Sequence, residues 1–150
     1  MGQKLIVGVG NKNRADDAAG LLVADDLEGN TPPGVAIEKC SGEPGELIDY
    51  FEEYSEIFLV DALKSTDNPG QIHRINVKEE ELPAQIFPTS THSFGVYEAV
   101  ELARKLQELP DKLIIYGITG GEFEIGGEVT PAVSSSVAQV VDQIRAELEE

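Results

Sequence analysis

Three runs in this chain, LIVGV (5–9), IFLV (57–60) and LIIYGI (113–118), are apolar almost without interruption. A strand with one wet face alternates apolar and polar side chains. Continuous apolar strands belong to sheets covered on both faces, and such sheets are mostly parallel. With two further runs, the sequence predicts five strands at Lys4–Val9, Val35–Cys40, Glu56–Val60, Gln71–Val77 and Leu113–Ile118. The fourth, QIHRINV, alternates and is expected near an edge.

Between the strands, apolar residues recur at helical spacing. One stripe comprises Ala18, Ala19, Leu22, Val23 and Leu27, and another Val96, Val100, Ala103 and Leu106. A third runs through Val133, Val137, Val140, Ile144 and Leu148, with Thr130 as N-cap and Pro131 in the first turn. Strands alternating with helices predict an α/β fold: a single three-layer domain over residues 1–150, its twisted, mostly parallel five-stranded sheet flanked by helices. The acidic, Pro-bearing segment Lys78–Pro88 reads as a long exposed loop.

Charge narrows the partners. Eleven basic against 28 acidic side chains leave a formal net charge of −17. That surface repels phosphate backbones and anionic leaflets, so neither nucleic acid nor membrane is expected as a partner. A lone cysteine, Cys40, cannot close an internal disulfide. The apolar run at the N-terminus is short for a signal peptide and no stretch is long enough to span a bilayer, so a cytoplasmic location is expected.

Function in an open parallel sheet collects beyond the carboxyl ends of its strands. The first strand leads through GVGN to the acid pair Asp16-Asp17, the third runs into Asp61, and the segment TSTHSFG delivers His92 at a helix start. Two carboxylates and an imidazole suit a divalent transition ion such as nickel or zinc. Asp17 in a first helical turn would be favoured as the anion, and His92 there as the neutral, ligating imidazole. Each residue also has a plain structural reading. An acid pair at a helix start compensates the dipole, and Asp16 is a natural N-cap; Asp16 could also serve as a general base. Other chemistries find no support, because GVGNKN lacks the third glycine of a dinucleotide loop, and GxxxxGK[ST], HExxH and GxSxG do not occur. Cys40 reads as an inert thiol rather than a nucleophile, and His73, in mid-strand, as structural.

Taken in order, GVGN with DDAAG, FLVDAL, DNPGQI, THSFG and GGEVTPAV give the chain a resemblance to the hydrogenase maturation endopeptidases. The resemblance covers nearly the whole chain and implies a phosphorylase/hydrolase-like domain. It implies a protease that removes a C-terminal extension from the NiFe-hydrogenase large-subunit precursor, cutting just after a basic residue. Carried over to this sequence, the metal ligands are Asp17, Asp61 and His92. The resemblance implies that the ion is nickel supplied by the substrate, with other divalent ions able to substitute, and a monomer is expected. Two positions depart from the family pattern. Asn13 stands where an apolar residue is usual, and KCSGEPGE replaces an Asp-Gly-Gly-Thr-like turn whose acid is thought to assist, leaving Glu43 or nothing in that place. That second departure keeps two competing classes in view: a non-catalytic nickel-binding chaperone or sensor, and a small-molecule hydrolase on the same scaffold.

Overall fold

A computed structural model describes residues 3–64, 68–83 and 93–149. Five strands, β1 (Lys4–Val9), β2 (Val35–Cys40), β3 (Glu56–Lys64), β4 (Ile72–Asn76) and β5 (Lys112–Gly120), form one sheet in the order β2-β1-β3-β5-β4. β1 runs parallel to β2 and β3, β3 runs parallel to β5, and β4 closes one edge antiparallel to β5. The alternating QIHRINV run is thus an edge strand, as its pattern predicts.

Four helices cover the sheet: α1 (Ala19–Leu27), α2 (Pro44–Glu53), α3 (Ser93–Lys105) and α4 (Pro131–Leu148). Because successive strand residues face opposite sides, the continuous apolar runs feed two cores. On one side Leu5, Val7, Leu59, Leu113 and Ile115 pack with Leu47 and Phe51 of α2 and Val96 and Val100 of α3. On the other, Ile6, Phe58, Val60 and Ile114 pack with Val23 and Leu27 of α1 and Val133, Val140 and Ile144 of α4.

Four details differ from the sequence reading. β3 does not stop at Val60 but continues to Lys64, so Asp61 lies within the strand instead of following it. Leu106 is exposed beyond the end of α3, and Ala99 is a buried member of that stripe. α2 was not among the expected helices, for its fully buried face is reduced to Leu47 and Phe51. Of the expected loop Lys78–Pro88, residues 78–81 are exposed while Leu82 is buried in the core, and the remainder from residue 84 lies outside the described residues.

The order of strands places a switch point at β1 and β3. From β1 the chain crosses over α1 on one face to reach β2, then returns over α2 on the other face to β3. Connections that leave in opposite directions part above the carboxyl ends of these two neighbours, and the crevice there is where such sheets hold ligands.

Candidate functional site

β1 and β3 are paired from Lys4↔Glu56 to Gly8↔Val60. Asp61 is therefore the first residue of β3 beyond its β1 neighbour, held on the other side opposite Gly117 of β5. Its side chain is fully buried, and its Oδ1 accepts the Ala62 N–H at 2.8 Å. A strand position fixes the direction of this carboxylate more tightly than a loop position would.

Beyond β1 the chain turns sharply. The Gly10 N–H donates to the Cys40 carbonyl at 3.0 Å, which ties this turn to the end of β2. Asn11 N–H donates to Asp17 O at 3.3 Å, Arg14 N–H to Asn11 O at 3.2 Å, and Asp17 N–H to Arg14 O at 3.0 Å. The acid pair then lies in a single 3-10 turn, Ala15–Ala18, before α1 begins. The glycines of the GVGN and DDAAG motifs seat this turn. A Cβ at Gly8 would lie 2.9 Å from the Gly20 carbonyl carbon and closer to its oxygen, so α1 meets β1 backbone to backbone.

Asp16 and Asp17 are both buried, at 0% and 1% exposure. In a 3-10 turn neighbouring side chains diverge by about 120°, so the two acids serve different surroundings. The expected N-cap role of Asp16 is not what the structure holds. Arg14 occupies the cap position of the turn, and no side chain caps either the turn or α1. The Asp16 carboxylate instead accepts N–H groups from Gly121 (3.0 Å), Glu122 (3.2 Å) and Thr130 (2.8 Å), with the Thr130 hydroxyl at 3.0 Å. These donors take up the about four acceptor positions of a carboxylate. None is left directed at a substrate proton, which speaks against a general base. Thr130 does occupy the N-cap position of α4, with Pro131 at its first turn, but its hydroxyl is turned to Asp16.

Cys40, at the end of β2, borders the same crevice. Burial pushes its thiol up to about 11, with the charges of Glu46, Asp61 and Glu38 adding to the rise against an opposing hydrogen bond from the Gly42 backbone. A thiol held protonated at neutral pH is inert, as the sequence suggests. Glu43, the one candidate to stand in for the assisting acid, is exposed at the N-cap position of α2 and makes no capping bond. His73 pairs with Gly117 from the far side, two strands from Asp61. The space over Gly117 is closed by Leu63, whose Cδ1 would lie 2.6 Å from a Cβ built there, so His73 stays apart from the crevice.

His92 lies outside the described residues, immediately before α3. Its helix approaches the crevice from the β2 side: a Cβ at Gly95 would lie 3.4 Å from the Gly42 carbonyl carbon, in the loop that follows β2. Among the described residues no three His, Cys, Asp or Glu side chains gather as a metal cluster, so the described part of the expected trio is the pair Asp17 and Asp61. Asp17 in the turn after β1 and Asp61 in β3 are two buried carboxylates near the switch point, and carboxylate oxygens suit a divalent cation.

A doubly wound α/β domain with ionisable groups at its switch point is an enzyme scaffold. Comparison with known proteins specifies which. The profile of the hydrogenase maturation protease family, HycI, matches residues 18–147. The hydrogenase 2 maturation protease of Escherichia coli K12 is 28% identical over 151 residues, spanning 97% of this chain and 90% of that protein. Among solved structures, an endopeptidase from E. coli superposes with a TM-score of 0.84 at 27% identity, covering 97% of this chain and 91% of that one. The hydrogenase maturating endopeptidase HybD from E. coli gives a TM-score of 0.80 at 28% identity, covering 98% and 92%. The chain belongs to the hydrogenase maturation proteases. It is an endopeptidase of hydrogenase processing, and the phosphorylase/hydrolase-like sheet expected from the sequence is the fold it shares with these structures.

Proposed function

We propose that the protein removes the C-terminal extension of a nickel-loaded NiFe-hydrogenase large-subunit precursor, and that Asp17, Asp61 and His92 recognise the precursor's nickel. The observation that carries this reading is the burial of Asp17, in the turn after β1, and of Asp61, within β3, in a family of hydrogenase-processing proteases. Charged carboxylates out of water are stable only where positive charge or donors meet them. A divalent cation brought in by the substrate would add positive charge beside both carboxylates at the moment of binding.

Nickel is on this reading part of the substrate. Only a precursor that already carries it offers the crevice a cation, so binding itself discriminates loaded from unloaded chains. When bound, the ion supplies Lewis acidity toward the scissile carbonyl or toward a water. The two carboxylates and His92 orient the precursor so that its cleavage site lies against the crevice. The net charge of −17 favours a partner with a basic rim, and association weakens as salt screens it.

The test incubates the protein with nickel-free and nickel-loaded precursor and weighs the products by mass spectrometry. A C-terminal peptide is released from the loaded form alone, and casein and short peptides are left intact. Asp61→Ala abolishes release and weakens nickel binding by the isolated protein. Equal cleavage of both precursor forms refutes recognition of the metal. Cleavage of neither, with nickel binding retained, points to the chaperone class.

A further inference from the structure

Asp16 is buried, adjoins the candidate ligand Asp17, and has no part in the reaction described above. It is nevertheless the centre of a long-range bond set. Oδ1 accepts the Thr130 N–H (2.8 Å) and hydroxyl (3.0 Å), and Oδ2 accepts the N–H groups of Gly121 (3.0 Å) and Glu122 (3.2 Å). Backbone bonds run beside them: Asp16 N–H to Glu122 O at 2.9 Å and Gly126 N–H to Asn13 O at 2.8 Å. Arg14 Nε donates to Phe123 O at 3.2 Å. The last residue of β5 makes room for the carboxylate, since a Cβ on Gly120 would lie 2.6 Å from the Asp16 Cβ.

The residue before Asp16 shows what these bonds restrain. Ala15 has φ 52°, a left-handed conformation that costs a side-chain-bearing residue energy and persists only where its surroundings enforce it. We propose that Asp16 is a positioning residue. Its carboxylate ties the segment between β5 and α4 to the turn after β1, enforces the left-handed Ala15, and so sets the direction in which Asp17 is presented to the substrate's metal. This rests on the reading of Asp17 as a ligand.

The chemistry of the set makes a sharp distinction. Every partner of the two Asp16 oxygens is a donor, so a carboxylate fits and an amide does not. Asparagine has the same shape but must aim its NH2 at an N–H group whichever way it is turned. At a helix cap, by contrast, asparagine serves about as well as aspartate.

The experiment compares Asp16→Asn and Thr130→Val with the wild-type protein, well below their melting temperatures, by amide hydrogen exchange and by calorimetric titration with nickel(II). In Asp16→Asn, the Gly121, Glu122 and Thr130 amides exchange faster, and so does the Asp17 amide, which the wild-type turn protects through Arg14 O at 3.0 Å. Nickel affinity falls about 10- to 100-fold, the range for groups that orient a ligand. Thr130→Val deletes one hydroxyl and keeps the N–H donors, so it gives the same pattern in milder form, and Thr130→Ser restores it. This series keeps the test open should Asp16→Asn fail to fold. Faster exchange confined to Gly121, Glu122 and Thr130, with Asp17 unchanged, overturns the proposal and leaves a purely structural staple. Unchanged nickel affinity with cleavage lost overturns it in favour of a base. A wild-type protein that binds no nickel refutes the ligand reading of Asp17 instead, and the exchange at its amide still decides whether Asp16 positions it.

Discussion

Gly20→Ala tests how closely the rim that carries Asp17 is built on backbone contacts. A Cβ at Gly20 would lie 2.5 Å from the Val9 carbonyl oxygen, 2.9 Å from the Val9 nitrogen, and closer still to the Val60 carbonyl oxygen. These atoms belong to the two central strands and cannot rotate away, so α1 must lift. Reaching an ordinary contact near 3.5 Å requires a shift of about 1 Å, which forfeits up to half of each affected van der Waals contact. The residues that lose packing are Ala19, Val23, Ala24 and Leu27, all buried under α1. Overpacking of this kind costs about 1–3 kcal/mol, and the unyielding backbone puts this site at the upper end. Better helix propensity returns at most about 1 kcal/mol. The net loss is about 2 kcal/mol, or a fall in Tm of roughly 4–8 °C for a chain of this size. Gly45→Ala is the matched control. It lies in the first turn of α2, where the nearest atom to a Cβ is Glu43 Oε1 at 3.7 Å, so propensity alone acts and Tm rises by about 1–3 °C. Differential scanning calorimetry of the two variants decides the matter. A Tm for Gly20→Ala at or above the wild-type value would refute the argument.

Two further predictions concern ionisable groups. Glu147 of α4 receives a forked bond from Arg74 of β4, at 2.5 and 3.1 Å, and the Tyr116 hydroxyl. Burial pushes its carboxyl up, but the bonds from Arg74 and Tyr116 outweigh it and hold the group below its ordinary value of 4.5. A depressed carboxylate adds stability that is present above the unfolded value and lost as pH falls through the folded one. Glu147→Gln therefore lowers Tm at pH 7, by the equivalent of about 1 kcal/mol given the solvent-screened guanidinium, and melts taken down to pH 3 show the gap closing below pH 4.5. A gap that stays constant with pH would remove the ion pair as its cause. For Cys40, burial and the neighbouring carboxylates predict slow reaction with iodoacetamide at pH 7, quickening with each pH unit toward about 11. Rapid labelling of the folded protein at pH 7 would contradict this.

The sheet and α4 were legible in the sequence because their signals are local: unbroken apolar runs for strands covered twice, and a long stripe opened by Thr130-Pro131 for the helix. α2 was missed because a helix at the rim of a core needs little apolar surface, and Leu47 with Phe51 suffices. The end of β3 was misplaced for a different reason. Aspartate disfavours strands in general, yet Asp61 stays in the ladder because β5 runs on beside it to Gly120 after the pairing with β1 has ended. The expected role of Asp16 also failed on locality. An acid at a helix start matches a capping pattern, whereas its actual partners lie 105 to 114 residues away. One physical signal did point there: an acid in a short, otherwise small and apolar stretch, DDAAG, must find donors if it is buried, and nothing nearby in sequence supplies them.

The acid pair separates two demands that conflict in a single residue. A carboxylate that fixes backbone geometry must be saturated with donors, and saturation removes its capacity to take a cation. A carboxylate that meets a cation must keep acceptor capacity for it, so its direction is better fixed through the backbone it stands on. Placing the two side by side in one 3-10 turn resolves the conflict, because a rigid Asp16 immobilises the backbone from which Asp17 projects. Asp61 reaches the same end by another route. Its backbone is locked into β3 against β5, and its Oδ1 accepts the Ala62 N–H. On the proposed reading, one strand-held and one turn-held carboxylate are in place before the substrate arrives, so little ordering cost weighs against binding. On the proposed reading, preparation of this kind serves discrimination between two forms of one partner that differ by a single ion, since the site gains nothing from the form that brings no charge.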